Sequence, residues 1–253
     1  MKKFIKHIIN RFGYDIINVN KEIKNVNFDD LLRDKIAKDP LIFDVGGNKG
    51  QSISRFKNIF RKPTIHSFEP IKREYDFMKK KYEQDKNVYL NNFAIGDTQE
   101  YKSFNITAGT GNSSFNLIKQ DTKWLTVRSK QFNTDKENYI VNKEKVKVDT
   151  IDNYCEEKNI DFIDLLKIDT QGYEDKVLKG SLETIKKNKI GIILTEIMFD
   201  DVYNKHFSFS DIEKFLIPNN FRMVGINLIN NNLFSGLVFF ADVMYFNKNY
   251  YKI

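Results

Sequence analysis

Four acidic residues stand where alternating strand-like and helix-like runs would bring them to one edge of a sheet: Asp44, Glu69, Asp169 and Glu196. Asp44 lies in the run "LIFDV", just before a glycine-rich turn, giving Asp44-x-Gly46-x-x-x-Gly50 with Gly47 inside it. A glycine turn straight after a strand lets backbone press against a ligand. The phosphate-cradling pattern G-x-x-x-x-G-K-[ST] fails, because Lys49 precedes Gly50 and Gln51 and Ser52 follow it. The dinucleotide pattern G-x-G-x-x-G fails on the spacing of Gly46, Gly47 and Gly50. An acid at the strand end would repel a pyrophosphate and suits a cationic cofactor. S-adenosylmethionine, with its sulfonium and ammonium, is of that kind. Gly46 and Gly47 would admit its methionine part, and Asp44 would hold the ammonium directly or through water. Glu69 closes the next strand-like run, "TIHSFEP", 19 residues past Gly50. An acid there is placed to accept both ribose hydroxyls of an adenosine. In the third run, "NFAIGD", Ala94 and Ile95 would pack on an adenine, with Asp97 near its amino group.

The fourth run, "LLKIDTQGYE", presents Asp169 at the carboxyl edge of the sheet, beside a transferred methyl. Lys167 projects from the same strand face. It reads either as a structural ion pair with Asp169 or, with Gln171 and Tyr173, as an acceptor-side contact. The fifth run, "IGIILTEIMF", brings Glu196 to the same edge, and His206 follows in a loop. A hydroxyl nucleophile at this edge would need a proton acceptor, and Asp169, His206 and Glu196 are the candidates. His206 has the best intrinsic pKa near neutrality. A divalent metal would do the same work by acidifying the acceptor. Asp169 and Glu196 would seed such a site, but no third ligand is evident, so no metal is expected. His66 alternates within a strand and reads as structural, and His7 lies on the basic flank of the first helix.

These residues need elements to hold them. From residue 41 the pattern is βαβ, which predicts an α/β fold with a parallel sheet and helices on both faces. "FRMVGINLI" and "GLVFFADVMYF" then predict an antiparallel hairpin turning around Asn230–Asn232. The stretch 97–147 breaks the alternation and is expected as an inserted lid on the ligand side. Residues 1–40 are expected as a helical extension of a methyltransferase domain at 41–253. Phe4, Ile5, Ile8, Ile9 and Phe12 place an apolar face on a helix over 1–14. That helix packs on its own domain, joins a homodimer, or lies on an anionic membrane.

With 253 residues, 41% of them hydrophobic, the chain can bury one sizeable core. The lone cysteine, Cys155, excludes an internal disulfide and a cysteine metal cluster and fits a reducing, cytoplasmic setting. Lys6, His7, Asn10 and Arg11 interrupt any leader-like apolar core, and no stretch approaches the ~20 apolar residues of a membrane span. The net charge of +7 attracts phosphate-bearing partners. Acids are mixed among the bases throughout and no nucleic-acid motif is present, so a small anionic substrate is expected rather than nucleic acid.

"IFDVGGNKGQS", "HSFEP", "NFAIGD", "VKVDTIDNY", "LLKIDTQGYEDKVLKG" and "ILTEIMF" occur in this order. Together they resemble the FkbM family of S-adenosylmethionine-dependent methyltransferases. The resemblance covers roughly residues 41–200, and "KIDTQGYE" is its most specific part. Gly47 stands where the family more often has alanine. The resemblance implies a Rossmann-type class I methyltransferase fold, with a mostly parallel seven-stranded sheet ending in the antiparallel hairpin. It implies O-methylation of sugars or other hydroxyl-bearing compounds. It also implies Asp44, Gly46 and Asn48 at the methionine end, Glu69 on the ribose, and Ala94, Ile95 and Asp97 around the adenine. Asp169 and Gln171 would face the methyl and the acceptor. Positions beyond about 200 are poorly shared, so the acceptor is not carried over. A nucleotide-activated sugar such as a GDP-heptose, destined for capsular or other surface polysaccharide, meets the charge and the cytoplasmic setting. A lipid-linked or finished glycan is the alternative acceptor, and a methyltransferase-like binding module without turnover is the alternative to an enzyme.

Overall fold

The computed structural model describes residues 27–199, 202–205, 208–228 and 238–251. The helix expected over 1–14, the turn at Asn230–Asn232 and His206 lie outside the described residues. Ten strands form two sheets. The larger holds β1 (Leu41–Val45), β2 (Thr64–Phe68), β3 (Val88–Asn91), β7 (Ile163–Ile168), β8 (Ile190–Met198), β9 (Phe221–Leu228) and β10 (Phe240–Asn247), in the order β3-β2-β1-β7-β8-β10-β9. Its first five members run parallel. β10 runs antiparallel to both β8 and β9, which is the expected hairpin. The central strands read as unbroken apolar runs because helices cover both faces.

On one face lie α1 (Phe28–Lys35), α2 (Gln51–Ile59) and α3 (Lys72–Tyr82). They bury Phe28, Leu32, Ile53, Phe56 and Met78 against Ile42, Ile65 and Leu165. α1 starts at Asn27, whose side chain accepts from the Asp29 N–H, with acids in its first turn and bases in its last. The helices that pack on the other face are α5 (Ile151–Lys158), α6 (Glu174–Lys179), α7 (Leu182–Lys186) and α8 (Phe209–Leu216), which bury Tyr154, Val177, Ile185 and Leu216 against Phe43, Leu166 and Ile193.

Three details differ from the pattern reading. The run "VYLNNFAIG" is two strands. After β3, Asn92 donates to the carbonyls of Glu69 and Pro70, and the chain leaves the sheet. β4 (Ala94–Ile95) then pairs with β6 (Ile140–Asp149), which also takes β5 (Glu100–Thr107) in a three-stranded sheet. The 97–147 stretch also contains a helix, α4 (Lys123–Gln131), capped by Thr122 and burying Trp124 and Leu125. Its periodicity is too weak to announce it. Finally, the run "YEDKVLKGSLETIKKN", which reads as one helix, breaks at Gly180, where a Cβ would lie 1.8 Å from the Gly96 carbonyl oxygen. Backbone contacts backbone there, so the helix ends and α7 restarts.

Candidate active site

Strand register gathers the acids. β1 lies between β2 and β7, with Asp44 opposite Ser67 on one side and Lys167 on the other. Asp44 is fully buried; Ser67 Oγ donates to its Oδ2 at 2.9 Å and Lys167 Nζ lies 3.1 Å from its Oδ1. Lys167 Nζ also donates to the Gly46 carbonyl at 2.9 Å and stands 3.7 Å from Asp169 Oδ2. Burial alone would lower the proton affinity of Lys167; Asp44 and then Asp169 outweigh it and leave it raised. The lysine thus sits beneath the glycine turn, not on the acceptor side. Asp44 is also beneath the turn; its Oδ2 takes the Ser67 hydroxyl, while its buried Oδ1 faces Lys167 as an ion pair without a hydrogen bond.

The turn is pressed onto the end of β7. Gly46 has φ +87°, and a Cβ on it would sit 1.9 Å from the Asp169 carbonyl oxygen. Only glycine fits this position. The N–H groups of Gly46 and Gly47 both donate to the Phe68 carbonyl. Asn48, at φ 45°, comes next and lines a cavity.

That cavity is walled by Gly46 and Asn48, Glu69, Ala94 and Ile95, and by Asp169, Gln171 and Tyr173. The 97–147 stretch supplies the opposite wall through Phe104, Thr110, Gly111, Ser113 and Phe115. Glu69 is buried, with Oε2 accepting from Asn48 N–H and Oε1 from Ile71 N–H, both at 2.7 Å. A carboxylate has about four lone-pair sites, so two remain for further donors. Burial is the main cause that raises its pKa to about 7, against the pull of those two amides. The Asn48 side-chain oxygen is buried with no hydrogen-bond partner. An orphaned acceptor and a half-used carboxylate on one wall fit the ammonium and ribose diol of S-adenosylmethionine.

At the other end of the wall, Gln171 holds two acids. Its Nε2 donates to Asp169 Oδ1 and to Glu196 Oε2, each at 2.9 Å. Asn112 Nδ2 approaches its Oε1 at 3.4 Å. Gln171 adopts φ 56°, a left-handed conformation unusual outside glycine. The turn is shaped by Glu174, which accepts from Thr170 N–H, Thr170 Oγ1 and Gly172 N–H. Burial raises Glu174 to about 7. Burial first, then Asp169, Glu174 and Asp242, raise Glu196 well above the carboxylate range. Glu196 lies behind Gln171, while the Asp169 side chain is 41% exposed and reaches the cavity.

Other expected residues lie elsewhere. The Asp97 carboxylate pairs with Lys176 Nζ at 2.6 Å and does not line the cavity. His66 is buried with Nδ1 2.8 Å from the Tyr154 hydroxyl and its ring stacked on Tyr89. Burial, helped by Lys158, lowers His66 to about 4, so it is a neutral packing residue. Among the described residues no cluster of three or more His, Cys, Asp or Glu could hold a metal ion, and no helix is long and apolar enough to cross a membrane. Pattern reasoning missed Asn112, Phe104, Phe115 and Tyr203 as part of the site or its surroundings. Asp242 had a signal, as the single charge in "GLVFFADVMYF"; it lies opposite Glu196 in the β8–β10 ladder.

A family model described as the methyltransferase FkbM domain matches residues 44–223. A curated relative, the 2-O-methyltransferase NoeI of Sinorhizobium fredii (strain NBRC 101917 / NGR234), is 26% identical over 167 residues. That match spans 65% of this chain and 66% of the relative's length. Among solved structures, an rRNA methylase from Streptococcus thermophilus has a TM-score of 0.46 at 9% identity, covering 87% of this chain and 93% of its own. A SAM-dependent methyltransferase from Aquifex aeolicus has a TM-score of 0.43 at 11% identity, covering 86% and 88%.

Proposed function

Because this chain belongs to the FkbM methyltransferase family, with S-adenosylmethionine as its cofactor, we propose that it transfers the methyl group to a hydroxyl of a sugar. One observation carries the reading: the cavity lined by Glu69 and by Asn48, whose side-chain oxygen has no hydrogen-bond partner, is also lined by Asp169. When bound, the cofactor supplies a methyl group on a sulfonium, already a good leaving group. Glu69 holds the ribose hydroxyls, Gly46 and Asn48 the methionine end, and Ala94 and Ile95 one face of the adenine. Asp169 accepts the proton of the attacking hydroxyl, with Gln171 and Tyr173 bordering the acceptor. Alignment in a closed cavity supplies about 7–11 kcal/mol, and a placed base about 10²–10⁴-fold. Asp169 suits the base role better than Glu196, which is behind Gln171.

The curated relative's name, 2-O-methyltransferase, supports an oxygen acceptor. A second cleft favours an anionic sugar. It shares Phe115 and Tyr173 with the cofactor cavity and adds Lys102, Lys176 and Lys205. Lys102 Nζ donates to the Tyr173 hydroxyl at 3.0 Å, while Lys176 is paired with Asp97 at 2.6 Å and Asp175 also lines the cleft. Asp169 and Gly172, which borders this cleft, are three residues apart, at most about 11 Å along the chain. A hydroxyl at Asp169 and a phosphate in the cleft are within one substrate's reach. These features support, as the acceptor, a nucleotide-activated sugar such as a GDP-heptose used for surface polysaccharide. Incubation with S-adenosylmethionine and a panel of nucleotide sugars, neutral sugars and lipid-linked glycans tests this. A mass gain of one methyl on a nucleotide sugar is expected. Gain only on a lipid-linked glycan moves the acceptor to the membrane. Failure to bind S-adenosylhomocysteine refutes the cofactor site.

A further inference from the structure

We infer that Lys167 is a positioning residue for methyl transfer, its buried ammonium fastening the Gly46 turn and the Asp169 carboxylate to the sheet through Asp44. The inference rests on the reading of Asp169 as the base. An ammonium offers three donors in fixed directions. Here its neighbours lie on three segments: Asp44 in β1 at 3.1 Å, the Gly46 carbonyl at 2.9 Å and Asp169 after β7 at 3.7 Å. Lys167 does not line the cofactor cavity, so it reaches the reaction only through these groups. The Gly46–Gly47 peptide is pinned at both ends, its carbonyl by Lys167 and its N–H by the Phe68 carbonyl. Asn48, the next residue, has its N–H on Glu69. One lysine therefore sets the height of the turn that carries two wall residues.

The same ammonium decides the charge of the catalytic end. The groups facing it or Asp169 are Asp44 from β1, Glu174 from α6, Glu196 from β8, Asp242 from β10 and the Tyr203 hydroxyl. Arg55 of α2 acts on Asp242. Lys167 is the cation in contact with Asp169, and an opposite charge within about 4–6 Å favours the ionised carboxylate.

Lys167→Met alone would strand the Asp44 charge in the core, so the test pairs it with Asp44→Asn, which removes both charges. Lys167→Arg keeps the cation. The double variant is expected to bind S-adenosylhomocysteine about tenfold more weakly in calorimetry, and the acid limb of its kcat–pH profile should move up by about one pH unit. Lys167→Arg should keep the wild-type acid limb at lower kcat. A folded double variant with wild-type cofactor affinity and an unmoved limb overturns the inference. If the double variant does not fold, the arginine variant decides alone, and a displaced acid limb overturns the inference. Asp169→Asn separates the two readings. Wild-type kcat in that variant removes Asp169 as base and leaves the hold on the turn, reported by cofactor affinity, as the part still decided by the double variant.

Discussion

Glu69 gives the most quantitative handle on the cofactor site. Its pKa is raised to about 7, chiefly by burial. Each carboxylate oxygen already takes one backbone N–H, from Asn48 and Ile71. Ribose hydroxyls must donate to the remaining lone pairs, so the ionised form is the one that binds. At pH 8 about nine tenths of the empty sites are ionised and at pH 6 about one tenth. The Kd for S-adenosylhomocysteine should therefore rise about tenfold from pH 8 to pH 6, or ~1.4 kcal/mol. Glu69→Gln cannot satisfy both backbone amides, because its NH2 end must face one of them. With charge-assisted bonds to the diol also lost, affinity at pH 8 should fall by about 2–4 kcal/mol, roughly 30- to 1000-fold. Its remaining affinity should be flat between pH 6 and 8. A residual slope in Glu69→Gln would mean that a group other than Glu69 links cofactor binding to pH. The assay is isothermal calorimetry with S-adenosylhomocysteine at pH 6, 7 and 8. Equal wild-type affinity at pH 6 and 8, or a Glu69→Gln Kd within threefold of wild type, would refute the ribose role.

Further outcomes follow from the same geometry. Glu69 and Glu174 both have folded pKa values raised to about 7 from an unfolded 4.5. Their contribution to stability is complete below about pH 4.5 and is lost as pH rises through about 7, so thermal melts of the ligand-free protein should be lower at pH 8 than at pH 5.5; a higher melt at pH 8 would contradict the burial of these acids. Gln171→Ala frees Asp169 and Glu196 from their shared donor. It should cut kcat at least tenfold while leaving S-adenosylhomocysteine affinity within about threefold, and unchanged turnover would show that the bridge has no role. Gly180→Ala pushes a methyl against the Gly96 carbonyl. It should cost about 1–3 kcal/mol in urea unfolding, and an unshifted midpoint would mean that α6 and α7 yield easily.

The parallel sheet was legible because β1, β7 and β8 are short apolar runs bounded by turns, and such runs survive only when covered on both faces. The acids at their ends were legible for the same reason: strand ends of parallel sheets share an edge. What spacing could not give was depth. Asp44 and Asp169 look equivalent in a string, yet the β1–β7 register buries the first against Lys167 and leaves the second at the cavity. Lys167 likewise looked free to meet a substrate until its strand was placed opposite Asp44. The helix α4 packs Trp124 and Leu125 against Met198, Val202 and Tyr203, and β4 pairs Ala94 with the sequence-distant Val148; no local period encodes either contact. Gly180 carried a local signal, but only the Gly96 carbonyl explains why the helix breaks there.

The central claim is methyl transfer from S-adenosylmethionine to a sugar oxygen at Asp169. Its most direct test uses cofactor labelled with ¹³C in the methyl group, a nucleotide sugar acceptor, and NMR of the product for wild type and Asp169→Asn. A ¹³C methoxyl on one sugar carbon, formed with one S-adenosylhomocysteine per methyl and at least a hundredfold more slowly by Asp169→Asn, is the predicted result. A label on nitrogen or carbon, or a wild-type rate in Asp169→Asn, would contradict it.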